Sequence, residues 1–595
     1  MKQEKSEIRD GMQIDWDVPI PMDDGVILRA DVFRPIGDGK YPVILSYGPY
    51  GKGFAFQEGF KGAWEGLVEA YPEVAANSSC KYQVFELVDP EKWVPDGYAC
   101  LRIDSRGTGR SPGFLDIWSP RETRDLYLCV EWAASQPWSN GKIGISGISY
   151  FAMNQWYVAS IQPPHLAALC AWEGAADYYR DISYHGGIMC EFLIGLFNRT
   201  LVRVQHGQGE RGPRSRVTGE LVAGPETLPE EVLAKIRVDM EKWLIDRPLD
   251  SHEYRDRSPV WEMVRVPLLS SANWGGQGLH PRGNFEAFMR AASREKWLEV
   301  HGGAHWASFY SDYGVALQKK FFGHYLKGEN TGWDRQPPVR LQVRHVDMFV
   351  ERHENEWPLA RTQWIKFYLH PTEGSLTREE SRRYAKVEYE AMGDGVSFLT
   401  PPLKEEVEIT GPVAAKLYVS SSTTDADIFL ALRLFRPDGQ EVLFQGSNDP
   451  HTPIGLGWLR ASQRKLDPKL TLPYRPYHTH DEPWPLKPGE PVELDIEVWP
   501  TCIVVPPGYR IGLQVRGKDY HYGGPALRVP GMRYEMAGVG PFLHDHSEDR
   551  PAEIFGGKYT LHFAVGQQPY LLLPIIPPKS TLALSTPQTR APNSF

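Results

Sequence analysis

The chain has 595 residues, 41% hydrophobic and 24% charged, an ordinary globular composition on a length that suggests about three or four domains. A net charge of −10 spread along the sequence argues against nucleic acid or an anionic membrane as partner. The charged start has no signal-peptide core, no apolar run approaches a membrane span, and the cysteines (Cys80, Cys100, Cys129, Cys170, Cys190, Cys502) form no C-x-x-C pair, so a cytoplasmic location is expected.

Residues 15–38 read as two strands around the turn Asp23-Asp24-Gly25, and Tyr41–Tyr47 as a short buried strand that runs into the loop Gly48–Gly53. Phe54–Pro90 is an irregular aromatic insertion, expected beside the active site. The next strand is Gly97–Asp104, followed by the glycine-rich Ser105–Gly113. That loop has neither the GK[ST] ending of a P-loop nor the spacing of G-x-G-x-x-G, so it is read as a tight loop. Arg121–Gln136 has amphipathic helical periodicity. A strand from Lys142 to Ile145 then enters the turn Gly147-Ile148-Ser149-Tyr150, and a helix follows. A serine at such a strand–turn–helix corner is placed like the nucleophile of an α/β-hydrolase, with helix N–H groups to stabilise negative charge. A serine between small residues is more often only a turn. It is the flanking elements and partners that give this one weight.

Leu166–Trp172 is another buried strand, with Glu173 at its carboxyl end. Residues 177–256 are helical and loopy, including Glu230–Asp246, and read as a cap. Val266–Ala272 resumes the sheet, a helix spans Gly283–Ala292, and Trp297–His301 is the last strand, leading into Gly302-Gly-Ala-His305. A helix from Val315 to Leu326 closes the domain. Strands alternating with helices imply a doubly wound, mostly parallel sheet that binds ligands at its carboxyl edge. From residue 337 to 595 short alternating segments divided by Pro/Gly turns predict a β jelly roll, with a Ser/Thr/Pro-rich tail after Pro577 expected to be loose. The expected division is thus hydrolase 1–176 and 257–336, helical cap 177–256 and jelly roll 337–595.

Serine chemistry needs a base, an acid that orients it, and oxyanion donors. His305 follows the final strand in a glycine-rich loop at the sheet's carboxyl edge and is the leading base, although most of the 18 histidines must be bland. The H-x-H pairs His478/His480 and His544/His546 lie in loops without evident carboxylate or thiol partners, so neither a metal nor any other cofactor is expected.

The stretches Val18–Val26, Gly48-Pro-Tyr-Gly-Lys52, Asp104–Ser111, Gln136–Gly144, Gly147–Tyr150, Gln155-Trp156, Pro437-Asp-Gly439 and Pro506–Ile511 together resemble the CocE/NonD serine hydrolases. That group includes cocaine esterase, α-amino-acid ester hydrolases and X-Pro dipeptidyl-peptidases. The resemblance spans nearly the whole chain and implies an α/β-hydrolase domain, a helical cap and a C-terminal jelly roll. It implies Ser149 as nucleophile, His305 as base, and Tyr50 assisting the backbone N–H of Tyr150 in the oxyanion hole.

One position departs from the pattern. The family's acid is an aspartate in a Trp-Tyr-Asp stretch, where this chain has Trp274-Gly275-Gly276-Gln277. Without an acid the histidine tautomer is poorly held and turnover falls by roughly 10⁴. Glu173 is the expected substitute, with Asp177 in reserve, and Trp172, Trp274 and Asp177 are placed at the substrate pocket. The function expected is cleavage of a small ester or amide through an acyl-enzyme. The alternatives are an X-Pro-type dipeptidyl aminopeptidase and, if the acid is lost, a non-catalytic binding protein. The sequence leaves room for a homo-oligomer.

Overall fold

The computed structural model describes residues 5–381, 383–528 and 535–578. From residue 579 the tail expected to be loose lies outside them. Thirteen strands are needed to describe the first half: β1 (Lys5–Arg9), β2 (Met12–Pro21), β3 (Ile27–Arg34), β4 (Tyr41–Gly48), β5 (Ala99–Asp104), β6 (Ser139–Ile148), β7 (Leu166–Trp172), β8 (Tyr184–His185), β9 (Ile188–Met189), β10 (Leu268–Asn273), β11 (Lys296–His301), β12 (Val339–Arg344) and β13 (Phe349–Glu354). All but β8 and β9, which form a separate hairpin, join one sheet in the order β1-β2-β3-β5-β4-β6-β7-β10-β11-β12-β13. From β5 to β12 every neighbouring pair is parallel. β5, β7 and β10 are buried at nearly every position; β7 is apolar throughout, as a strand covered on both faces tends to be, while β5 and β10 bury polar side chains, among them Asp104 and Asn273.

Four helices fill crossovers: α1 (Pro120–Ser135), α2 (Tyr150–Ser160), α3 (Pro281–Arg290) and α4 (Asp312–Phe322). Their starts follow from local chemistry. Ser119 and Ser311 accept N–H bonds as N-caps of α1 and α4, and proline opens α1 and α3 where its missing N–H costs nothing. The loop after β5 is a tight wrap with no room for phosphate. The Asp104 carboxylate takes the backbone N–H groups of Lys52 at 2.6 Å and Arg110 at 2.8 Å, and a Cβ on Gly109 would lie 2.2 Å from it.

Two boundaries differ from expectation. The sheet does not end at residue 336, because β12 pairs with β11 and β13 with β12. Alternation in Val339–Arg344 shows that one face is buried, but periodicity does not name the partner. In the cap, Glu230–Asp246 is two short helices, Glu230–Lys235 and Met240–Ile245. Between them the backbone bonds to Leu115, through Ile236 O at 2.9 Å and Val238 N at 3.0 Å.

The C-terminal half is a twelve-stranded, jelly-roll-like β sandwich. Val407–Ser421 pairs antiparallel with Val492–Val505, and Asp427–Phe435 with Arg510–Arg516. Ile409, Leu417, Ile428, Leu430, Leu432, Ile496 and Leu513 fill its core. A smaller cluster, with Trp274, Phe285, Trp357, Cys502 and Val504, joins the sandwich to the first sheet. Among the described residues no helix is long and apolar enough to cross a membrane.

Candidate active site

Ser149 caps α2 with φ 56° and ψ −111°, a conformation that costs an L-residue energy and persists only where its surroundings impose it. β6 and β7 impose it here, since the Ser149 N–H is held by Trp172 O at 3.0 Å. Gly147 is required because a Cβ there would lie 2.3 Å from the Phe151 Cβ. The hydroxyl is thereby lifted off the sheet's carboxyl edge, with the first N–H groups of α2 beside it.

The imidazole that meets this hydroxyl is His280, whose Nε2 is 3.0 Å from the Ser149 Oγ. The base expected from the sequence, His305, lies behind it. The two rings stack with centroids 4.7 Å apart and planes 12° apart. His305 Nδ1 is 2.7 Å from Glu173 Oε2, and its Nε2 is 3.1 Å from Glu86 Oε1. Glu173 has φ 49° and is fully buried. It also accepts from Asn273 Nδ2 at 3.2 Å, His301 Nε2 at 3.1 Å and Ser447 Oγ at 3.0 Å. Five hydrogen-bonded groups are therefore centred on one carboxylate or its histidine.

The charges follow from that wiring. Burial alone would raise Glu173, but the His305 charge and the hydrogen bonds of His301 and His305 hold it well below the usual carboxylate range. Burial opposes protonation of His305, yet Glu173 and Glu86 outweigh it and lift the imidazole to about 10. His301, between Glu299 and Glu173, rises to about 9 for the same reason, against burial. His280 goes the other way: burial and the neighbouring His305 push it well below the ordinary histidine value. Its Nδ1 is buried without a hydrogen-bond partner. Burial lifts Glu86 to about 7 despite His305.

Tyr50 lies in the loop after β4, its ring set edge-on to Phe85 at 5.3 Å and Tyr150 at 6.0 Å. Burial, then Glu86, keeps its phenol well above its ordinary pKa, so it is present as an O–H donor. Tyr150 turns its side chain away into the fold, donating to Glu122 Oε2 at 2.6 Å and stacking on Trp118. Beside the elbow, Tyr50, Phe54, Phe60, Phe85 and Phe151 line a small apolar pocket. The Phe54–Pro90 insertion supplies three of them and Glu86.

Other expected residues lie elsewhere. Asp177 caps the turn after it and pairs with Arg180 at 3.0 Å, which removes it as a candidate for orienting the histidine. Trp172 and Trp274 are fully buried. The first stacks on His301, and the second packs on Phe285 and Trp357 with its N–H bonded to Gln342 O. They are core residues because both rings face packed layers. The missing aspartate is explained by the second domain: a Cβ on Gly275 would sit 2.5 Å from the Gly446 Cα, and Ser447 N bonds Gly275 O at 3.0 Å. The sandwich loop occupies that space and extends Ser447 to Glu173.

Sequence reasoning missed His280, Glu86, Asn273, His301 and Ser447. For His280 a signal was present, since it ends the loop after β10 directly before Pro281. For Glu86 and Ser447 no local pattern exists.

Residues 24–307 match the S15 family of X-Pro dipeptidyl-peptidases, and residues 331–536 its C-terminal non-catalytic domain. Cocaine esterase of Rhodococcus sp. is 25% identical over 579 residues, covering 84% of this chain and 90% of that protein. An α-amino acid ester hydrolase of known structure shares the fold, with a TM-score of 0.63 at 16% identity, over 95% of this chain and 97% of that one. A CocE/NonD family hydrolase from Staphylococcus aureus has a TM-score of 0.81 at 30% identity, over 95% of this chain and 94% of that one. An α/β-hydrolase with a cap, a jelly-roll-like second domain and a strained serine at the elbow is a serine hydrolase, and this chain belongs to the CocE/NonD family of such hydrolases.

Proposed function

We propose that the chain cleaves a small carboxylic ester or amide by acyl transfer to Ser149, with His305 and Glu173 as base and orienting acid. The observation that carries this reading is the 2.7 Å pair of Glu173 and His305 one ring-stack away from the Ser149 hydroxyl. A base must hold the proton it takes, and that separates the two imidazoles. On His280 the new charge would be buried, beside His305 and unpartnered at Nδ1. On His305 it lies against Glu173. His280 therefore holds the hydroxyl at rest; His305, protonated between Glu173 and Glu86 in the resting fold, leaves its Nε2 proton on Glu86 and takes the serine proton once that nitrogen turns to Ser149. The serine oxygen then attacks the carbonyl carbon, the oxyanion is received by the N–H of Tyr150 and the hydroxyl of Tyr50, and the imidazolium protonates the leaving group. Water repeats the sequence on the acyl-enzyme.

A second reading makes His280 the base, and the 3.0 Å contact with Ser149 favours it. Single-turnover hydrolysis of p-nitrophenyl esters by His305→Ala and His280→Ala separates them. His305→Ala is expected to lose about 10⁴-fold in kcat and His280→Ala about 10-fold. A larger loss in His280→Ala overturns the assignment to His305. The peptidase alternative needs carboxylates for a substrate ammonium, and those near the site are engaged: Glu173 by His305, Asp177 by Arg180, and Glu86 by the His305 Nε2 and the proton it carries.

A further inference from the structure

Outside the catalytic site, the cap meets the sandwich at a second buried cluster of histidines. The β8–β9 hairpin turns at Gly186 and Gly187, and a Cβ on Gly186 would lie 2.0 Å from Trp458 O. Arg460 N bonds Gly186 O at 2.8 Å. The tip is thus pressed on a sandwich strand, which fixes His185 at the end of β8 and Cys190 just after β9. Across the interface stands His544. Cys190 Sγ and one ring nitrogen each of His185 and His544 all lie within 4.8 Å of one another. All three residues are essentially inaccessible to solvent.

The tautomers make this cluster unusual. His185 Nε2 is 3.0 Å from Asp181 O, and a carbonyl only accepts, so Nε2 carries the hydrogen. His544 Nδ1 is 2.8 Å from Asp519 Oδ1, and its backbone N is 2.7 Å from Asp519 Oδ2, so Nδ1 carries the hydrogen there. With no further proton on either ring, each presents a bare lone pair at its other nitrogen. Those two atoms, His185 Nδ1 and His544 Nε2, face each other at 2.8 Å. Two lone pairs at that distance repel unless a cation stands with them. Trp458, Trp499 and Phe429 surround the rings, so water is excluded from that role.

We propose that His185, Cys190 and His544 form a binding site for a thiophilic d¹⁰ cation, Zn²⁺ or Cu⁺, that clips the cap to the sandwich. Imidazole and thiolate are the donors such ions select. Asp519 and the Asp181 carbonyl supply the outer hydrogen bonds that set ligand orientation and basicity. Binding breaks the Cys190 S–H bond, forms the metal–sulfur bond and releases one proton. Zn²⁺ with one thiolate and the Asp519 carboxylate sums to zero charge, which a dry site requires. The ligands come from residues 185, 190 and 544, so the site is complete only when the two regions have docked. No H-x-H spacing reveals it, since His546 is directed at Glu241 instead.

The full-length protein tests this directly. Elemental analysis of purified protein should find about one equivalent of zinc or copper per chain, lost in Cys190→Ser and in His544→Gln. Metal-free protein titrated with Co²⁺ should develop thiolate charge-transfer absorption in the near ultraviolet, absent from Cys190→Ser. A chelator should lower the Tm of the parent and leave that of Cys190→Ser unchanged. Retained esterase turnover in Cys190→Ser shows that it folds. Absence of bound metal together with no uptake of Zn²⁺ or Co²⁺ overturns the proposal. So does equal uptake by Cys190→Ser, or a ¹⁵N NMR signature of an imidazolium at His544, which would mean that a proton shared with His185 fills the gap.

Discussion

Two of the buried imidazole pairs in the molecule are built on opposite principles. At the sheet edge His280 and His305 lie nearly flat on one another, 12° between planes. At the cap–sandwich contact His185 and His544 are tilted by 60° and meet nitrogen to nitrogen. The first arrangement keeps the two rings' nitrogens apart, so one ring takes a carboxylate while the other takes a hydroxyl. The second aims both free nitrogens at one point. A stacked pair can divide a proton-transfer task between its members, whereas an edge-on pair can only share something between them. Residue type is the same in both; what differs is where the carboxylates stand.

The largest expected effect comes from removing the nucleophile. Ser149→Ala should abolish hydrolysis, a loss on the order of 10⁶ in kcat, while leaving Co²⁺ uptake at the other pair unchanged. Residual turnover near that of the parent would end the serine mechanism. Next is the carboxylate that distinguishes the pairs. Glu173→Gln should cost about 10³–10⁴ in kcat, because an amide can hold His305 in the wrong tautomer. Circular dichroism must accompany the rates, since Asn273, His301 and Ser447 also bond this residue. Gly276→Asp in that background should restore nothing, because a Cβ there already lies 2.9 Å from the Pro281 Cδ.

What the sequence disclosed tracks the range of the interaction. β7 was legible to the residue, and the elbow was legible because strand, turn and helix are local. Glu173 could be inferred against His305 because both end strands of one parallel sheet, with β10 between them. Ser447 was not legible, because a sandwich loop 274 positions away in sequence delivers it to Glu173. Glu86 was hidden in an irregular insertion, and the ring that touches Ser149 was overlooked because a glycine-rich loop before a proline looks like a turn. The Trp172 and Trp274 pocket expectations failed for a related reason: an aromatic at a strand's end can face the cavity or the layer beneath it.

Smaller effects sharpen the division of labour at the sheet edge. Tyr50→Phe should lower kcat about 10²–10³-fold with little change in KM, the signature of a donor used in the transition state. A change confined to KM would make Tyr50 a wall of the aromatic pocket instead.

The smallest expected effect is one of stability, and its sign follows from the Glu173–His305 pair. The folded His305 imidazole is raised from an ordinary 6.5 to about 10, so folding favours its protonated form. The folded Glu173 carboxyl is held below its ordinary 4.5, so folding favours its anion. The His305 contribution is fully present below pH 6.5 and is lost as pH rises through about 10. The Glu173 contribution is present above pH 4.5 and is lost as pH falls below that. Together they stabilise most between those two ordinary values and fade on the alkaline side. The Tm difference between the parent and His305→Gln, measured at fixed ionic strength, should therefore be greatest near pH 5–6 and shrink steadily toward pH 10. A difference that stays constant across this range would mean that His305 is neutral in the resting fold, and that Glu86 rather than His305 carries the shared proton.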